Sequence, residues 1–180
     1  MKKLHLIILS LFIAGGTFAQ TFTLASKDLG GQFSQEFFAG NFGCNGQNKS
    51  PELHWINAPA ETKSFAVTMH DLDAPTGSGF WHWVIIDIPA TATALPRGAG
   101  NIAAKLAPAG SLHRINDTGE PGYQGPCPPE GDQEHRYIIT VYALKSDKTA
   151  AGPSSPAALT AYLLNTAALA KASIIVYGKR

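Results

Sequence analysis

The sequence predicts an all-β, mainly antiparallel domain, and three observations carry that reading. Glycine (18) and proline (12) are frequent and spread along the whole chain, as expected where many strands are joined by turns. Ser64 to His70, Trp83 to Ile88 and Arg136 to Leu144 have the composition and patterning of strands. Only one segment, near the C-terminus, has helical spacing throughout.

The start of the chain has the pattern expected of an export leader. Lys2 and Lys3 are basic, Leu4 to Ile13 is apolar except for His5 and Ser10, and Thr17-Phe18-Ala19 ends on a small residue. The run is too short to span a hydrocarbon core of about 30 Å, and no cysteine follows for a lipid anchor. Cleavage after about Ala19 would leave one domain, residues 20–180, in the periplasm or secreted, long enough for a sizeable core. It would remove two of the 14 basic residues and none of the 13 acidic ones, giving a net charge of −1. Such a balance offers no field for nucleic acid or an anionic membrane. No nucleic-acid motif and no second apolar span is present, so neither nucleic-acid binding nor transmembrane anchoring is expected.

Phe22 to Ala25 and Glu52 to Ile56 are the weaker early strands. Between them lies Cys44, which with Cys127 makes an even cysteine count. In an exported chain that count predicts one disulfide, the alternatives being two free thiols or half of a metal site. Both cysteines sit in Gly/Pro-rich segments and not in apolar strands, which favours the bridge.

Ser64 to His70 alternates, with Phe65, Val67 and Met69 on one face, while Trp83 to Ile88 is apolar enough for burial on both faces. The intervening loop contains Ala74-Pro75-Thr76-Gly77-Ser78-Gly79, which has turn chemistry. Asp71 and Asp73 leave the first strand and His82 enters the second. Antiparallel pairing would therefore bring two carboxyls and an imidazole to one sheet edge. Taken alone, an Asp-x-Asp in a loop is more often a turn whose carboxylate binds its own backbone. A lone His beside Trp is more often a satisfied core or edge residue.

Gly125-Pro126-Cys127-Pro128-Pro129-Glu130-Gly131 is stiff, because proline fixes φ and lacks a donor. It leads into His135-Arg136-Tyr137. In a strand His135 and Tyr137 share a face and can line one pocket, while Arg136 points the other way, toward a structural ion pair or hydrogen bonds for which the two carboxylates are candidate partners. The helix begins after Ser155, expected as its cap, with Pro156 in the first turn. Leu159, Leu163, Thr166 and Leu169 or Ala170 recur at helical spacing to about Lys171, and this face is expected to pack on the sheet. Ser173 to Tyr177 is the last strand.

Asp71-Leu72-Asp73-Ala74-Pro75, Trp81-His82-Trp83-Val84 and Ile88-Pro89 resemble the first signature of the phosphatidylethanolamine-binding protein family, which includes the Raf kinase inhibitor protein and a bacterial branch. Tyr123-Gln124-Gly125-Pro126-Cys127-Pro128-Pro129 with His135-Arg136-Tyr137 resembles the second. Cys44 to Leu53, Trp55 and Thr62-Lys63-Ser64 are similar to the exported bacterial branch, so the resemblance covers nearly all of residues 20–180. One departure is Leu72, where the family commonly has proline between the two acids.

The resemblance implies a large central sheet packed with a smaller one, few peripheral helices, and one pocket for a phosphate-like anion or a phosphorylated small molecule such as a head group. It implies that Asp71, Asp73, His82, His135 and Tyr137 line that pocket and that Gly125 and Pro126 form part of its wall. The acids can orient and charge a histidine, receive an ammonium group, or act as protonated donors. Proximity to Asp71 or Asp73 is expected to raise the histidine pKa values. No cofactor is expected. A small-ligand-binding protein is favoured over an enzyme; modulation of a partner protein and a homodimer are further possibilities that the resemblance leaves open. The alternative is a metal-dependent or acid–base hydrolase built on the same Asp/His cluster.

Overall fold

The structure, a computed structural model, describes residues 20–180. The expected leader, residues 1–19, lies outside the described residues.

Eight strands and one helix follow in chain order: β1 (Thr23–Ala25), β2 (Leu53–Ile56), β3 (Ser64–Asp71), β4 (Phe80–Pro89), β5 (Ala94–Leu95), β6 (Leu112–His113), β7 (His135–Leu144), α1 (Ala157–Ala167) and β8 (Ala168–Gly178). They form a three-stranded sheet, order β1-β2-β5, and a five-stranded sheet, order β6-β4-β3-β7-β8, with every pair antiparallel. The fold class read from the sequence is the observed one.

One face of the large sheet packs on the small sheet. Phe65, Val67 and Met69 of β3 point there, as their alternation predicts, and meet Leu53 and Trp55 of β2. The Trp55 and Phe65 rings lie 5.1 Å apart. The other face is covered by α1: Ala66, Val84, Ile86, Tyr142 and Leu144 pack with Ala157 and Leu164. Strand β4 is thus buried on both sides, which is why it reads as a continuous apolar run.

The helix departs from the expectation in three ways. Ser155 does not cap it. Its hydroxyl accepts the Gly152 N–H at 2.9 Å, and Pro156 occupies the N-cap position. The packed face is Ala157, Thr160, Ala161 and Leu164, whereas Leu159 is 47% exposed. The helix also stops at Ala167 and not near Lys171. Leu169, Ala170 and Lys171 belong to β8, which pairs with β7 along its length. Helical spacing of apolar residues yields there to a long ladder that satisfies the backbone and seats the β-branched Ile174, Ile175 and Val176.

Strand β4 carries two irregularities against β3. Met69 pairs with Trp83 and His70 with Trp81, so His82 has no partner on β3. Phe65 pairs with Ile88 and Val67 with Ile85, so Ile86 and Asp87 oppose the single residue Ala66. Each is a β-bulge, which re-aims the side chain at the extra position.

Candidate functional site

The first bulge sets the site. Unbroken alternation would put His82 on the face of Val84 and Ile86, beneath α1. The inserted residue instead turns the imidazole to the opposite side, into a cavity of about 250 Å³ at the end of the large sheet. Asp71, at the end of β3, and His135, at the start of β7, reach the same cavity.

Asp71 forms the turn that its Asp-x-Asp context predicts. Its Oδ1 accepts the N–H groups of Asp73 (2.9 Å) and Ala74 (3.1 Å), while its Oδ2 accepts from His135 Nδ1 at 2.8 Å. His135 Nε2 faces Asp132 Oδ2 at 3.4 Å. Two carboxylate neighbours favour the charged form of the ring. Burial opposes that charge, but the hydrogen bond and charge of Asp71, followed by those of Asp132, outweigh it and raise the His135 pKa.

His82 behaves in the opposite way. Its Nδ1 lies 2.9 Å from the Gln124 carbonyl oxygen, which can only accept, so Nδ1 carries the proton. Nε2 makes no hydrogen bond among the described residues, and Asp71 Oδ2 stands 4.0 Å away. Burial lowers the His82 pKa to about 4, against the Gln124 and Gly125 carbonyls and the Asp71 charge, which act to raise it. The expectation that neighbouring acids would raise both histidine pKa values therefore holds for His135 and is overturned at His82. Desolvation outweighs a carboxylate whose charge His135 already balances.

Three residues expected at the pocket stand behind it. Asp73 is bound to Arg136, whose Nη2 is 2.7 Å from Oδ1 and whose Nε is 2.9 Å from Oδ2. That guanidinium holds the Asp73 carboxyl down at about 2. This is the ion pair foreseen for Arg136. Tyr137 is fully buried, and its hydroxyl has no hydrogen-bond partner of ordinary geometry. Burial and the nearby Asp71 charge push that hydroxyl far above its usual range. Pro126 gives its carbonyl to the Ala39 N–H at 3.0 Å and so holds the wall from outside.

Gly125 does line the cavity. A Cβ there would collide with the Phe37 carbonyl and the Ala39 amide, so the close approach of the two segments requires glycine. Cys44 and Cys127 are joined in a disulfide, Cα to Cα 5.9 Å, which ties the Pro-rich segment to the loop bearing Phe42. The remaining wall is largely apolar: Phe42, Pro75, Phe80, Cys127, Pro128 and Pro129. Phe42 and Phe80 were not foreseen. Phe80 stands two residues before His82, so strand alternation could have flagged it. Phe42 is 68% exposed in a loop and carries no local signal. Among the described residues no lysine or arginine lines the cavity, and no group of three His, Cys, Asp or Glu has metal-holding geometry.

A profile of the phosphatidylethanolamine-binding protein matches residues 26–178. The UPF0098 protein YbcL of Escherichia coli is 43% identical over 97% of this chain and 96% of its own. YbhB of the same organism is 41% identical over 84% of this chain and 96% of its own. The crystal structure of E. coli YbcL, described as a new member of the mammalian PEBP family, superposes with a TM-score of 0.85 over 88% of this chain and 98% of that one.

Proposed function

The chain belongs to the phosphatidylethanolamine-binding protein family, whose members bind small ligands, and from that premise we propose that its pocket holds a phosphate-like anion or phosphorylated head group in an exported protein. The observation that carries this reading is His82 Nε2, a ring nitrogen in a buried residue, which faces the cavity with no hydrogen bond among the described residues.

A neutral imidazole whose Nδ1–H is engaged offers only a lone pair at Nε2. A phosphate oxygen offers lone pairs too, so one proton must lie between them. A phosphomonoester below its second pKa of about 6 brings that proton itself. Above that pH, or for a ligand without a proton, His82 takes one from solvent and donates a charge-assisted bond. Asp71 does not repel the ligand as a bare carboxylate, since two backbone N–H groups and the His135 imidazolium surround it. The apolar wall would hold the organic part of a head group. Export is supported by the leader pattern of residues 1–19 and by the Cys44–Cys127 bridge, which persists in oxidising compartments. Residues 20–180 are then the working domain.

Calorimetric titration with sulfate and with phosphoethanolamine, from pH 5 to 8, tests the proposal. Sulfate affinity should fall by up to about tenfold per pH unit, one proton being taken up. Phosphoethanolamine affinity should stay level below about pH 6 and then fall. His82→Ala should remove most of the binding. Equal affinity at every pH, or binding indifferent to His82→Ala, would contradict it.

A further inference from the structure

We propose that Phe42 is a specificity-determining residue, through which the pocket prefers a phosphomonoester of an aromatic ring to one of a primary amine. The inference rests on the phosphate-binding reading above and names the organic part that the same site takes. Phe42 and Gly43 are the central residues of a turn closed by the Cys44 N–H on the Asn41 carbonyl at 2.9 Å, and both have positive φ, +54° and +81°. Such a turn favours asparagine, aspartate or glycine at each of them. A bulky side chain there strains the backbone, and Phe42 is also 68% exposed. Neither local conformation nor burial in a core accounts for phenylalanine at this position. Phe42 does line the cavity. The Cys44–Cys127 bridge begins two residues later and ties the turn to the Pro-rich segment, so little of it is left to order when a ligand arrives.

The rest of the wall decides what a ligand can meet. Phe80 and three prolines add apolar surface. The Phe80 ring lies 4.9 Å from that of His82, so a phosphate on His82 Nε2 brings its ester group beside Phe80 and into the cavity that Phe42 lines. A flat aryl group gains there from the faces and edges of aromatic rings. A primary ammonium meets less. It carries three donors and a charge, and both need replacement for lost water. Among the described residues Asp71 is the one carboxylate lining the cavity. Its Oδ1 already accepts two backbone N–H groups and its Oδ2 the His135 ring N–H. With His82 on the phosphate, the other side-chain acceptors of the lining are the neutral oxygens of Thr76 and Gln124.

Calorimetric titration with phenyl phosphate, methyl phosphate and phosphoethanolamine at about pH 5, where each phosphate keeps one proton, tests this. Phenyl phosphate should bind about tenfold tighter than methyl phosphate, and phosphoethanolamine within about threefold of methyl phosphate. Phe42→Asn gives the turn a residue that it favours. It should bring phenyl phosphate to within about threefold of methyl phosphate without lowering the urea midpoint, whereas a merely structural Phe42 would lower the midpoint and keep the ratio. Sulfate, titrated on the unsubstituted protein, separates two kinds of failure. If sulfate does not bind, the phosphate-binding reading falls and this inference with it. If sulfate binds, this inference alone is overturned by phenyl phosphate binding no tighter than methyl phosphate, by phosphoethanolamine matching phenyl phosphate, or by a ratio that survives in Phe42→Asn.

Discussion

The two bulges of β4 use one backbone device to opposite ends. At the outer one, Asp87 is turned inward with φ +57°, and its carboxylate accepts the Thr149 N–H at 2.8 Å with Lys148 Nζ at 3.6 Å. Both of its oxygens face groups of the same loop, one a backbone N–H and the other a lysine, so it holds that loop in place. At the inner one, His82 is equally buried, but only Nδ1 is engaged. Burial alone does not mark a site. A polar atom of a buried residue whose bonding is left open toward a cavity does, because only a ligand or solvent can complete it.

Removing a carboxylate from each end should separate the two roles most clearly. Asp71→Ala leaves the His135 imidazolium and two backbone N–H groups without their acceptor, and should cost about 3–5 kcal/mol in urea unfolding. It should also weaken ligand binding. Asp87→Ala removes one backbone acceptor and a loose contact with an exposed lysine, and should cost about 1–2 kcal/mol while leaving ligand binding unchanged. Equal costs, or a binding defect in Asp87→Ala, would break the comparison.

The pH dependence of stability sharpens it within the pocket. His82 has a folded pKa of about 4, below its ordinary value, so the fold favours the neutral ring. Its contribution is fully present above about pH 6.5 and is lost as pH falls toward 4, by at most about 3 kcal/mol. His135 runs the other way. Its pKa is raised, so its contribution is present below about pH 6.5 and is lost as pH rises through the folded value. Urea midpoints from pH 4 to 8 should show the acid-side loss in the unsubstituted protein and a smaller one in His82→Gln. An unchanged acid loss in that variant would place the sensitivity elsewhere.

Much of this was legible in the residues themselves. The alternation of Ser64 to His70 and the apolar run of Trp83 to Ile88 gave the central strands and their buried faces. The loop between them gave the convergence of Asp71 and His82, and the even cysteine count pointed to the bridge. Three things were not legible. The extra residue at His82 depends on register with β3, which composition does not encode. The helix end depends on whether β7 offers a partner to Ala168–Gly178, a tertiary contact that overrides local spacing. Asp73 and Asp71 look alike in sequence, and only the position of the Arg136 side chain separates a surface ion pair from a pocket carboxylate.

The proposed function requires that His82 be neutral in the ligand-free protein and share a proton with a bound anion. Two-bond nitrogen–proton correlation spectra of the imidazoles, followed from pH 4 to 8, measure this directly. His82 should stay neutral, with its proton on Nδ1, down to about pH 5 in the free protein. Saturating sulfate should raise its pKa by about two units. A His82 that titrates near its ordinary value of about 6.5 in the free protein, or one whose titration sulfate leaves unmoved, would contradict it.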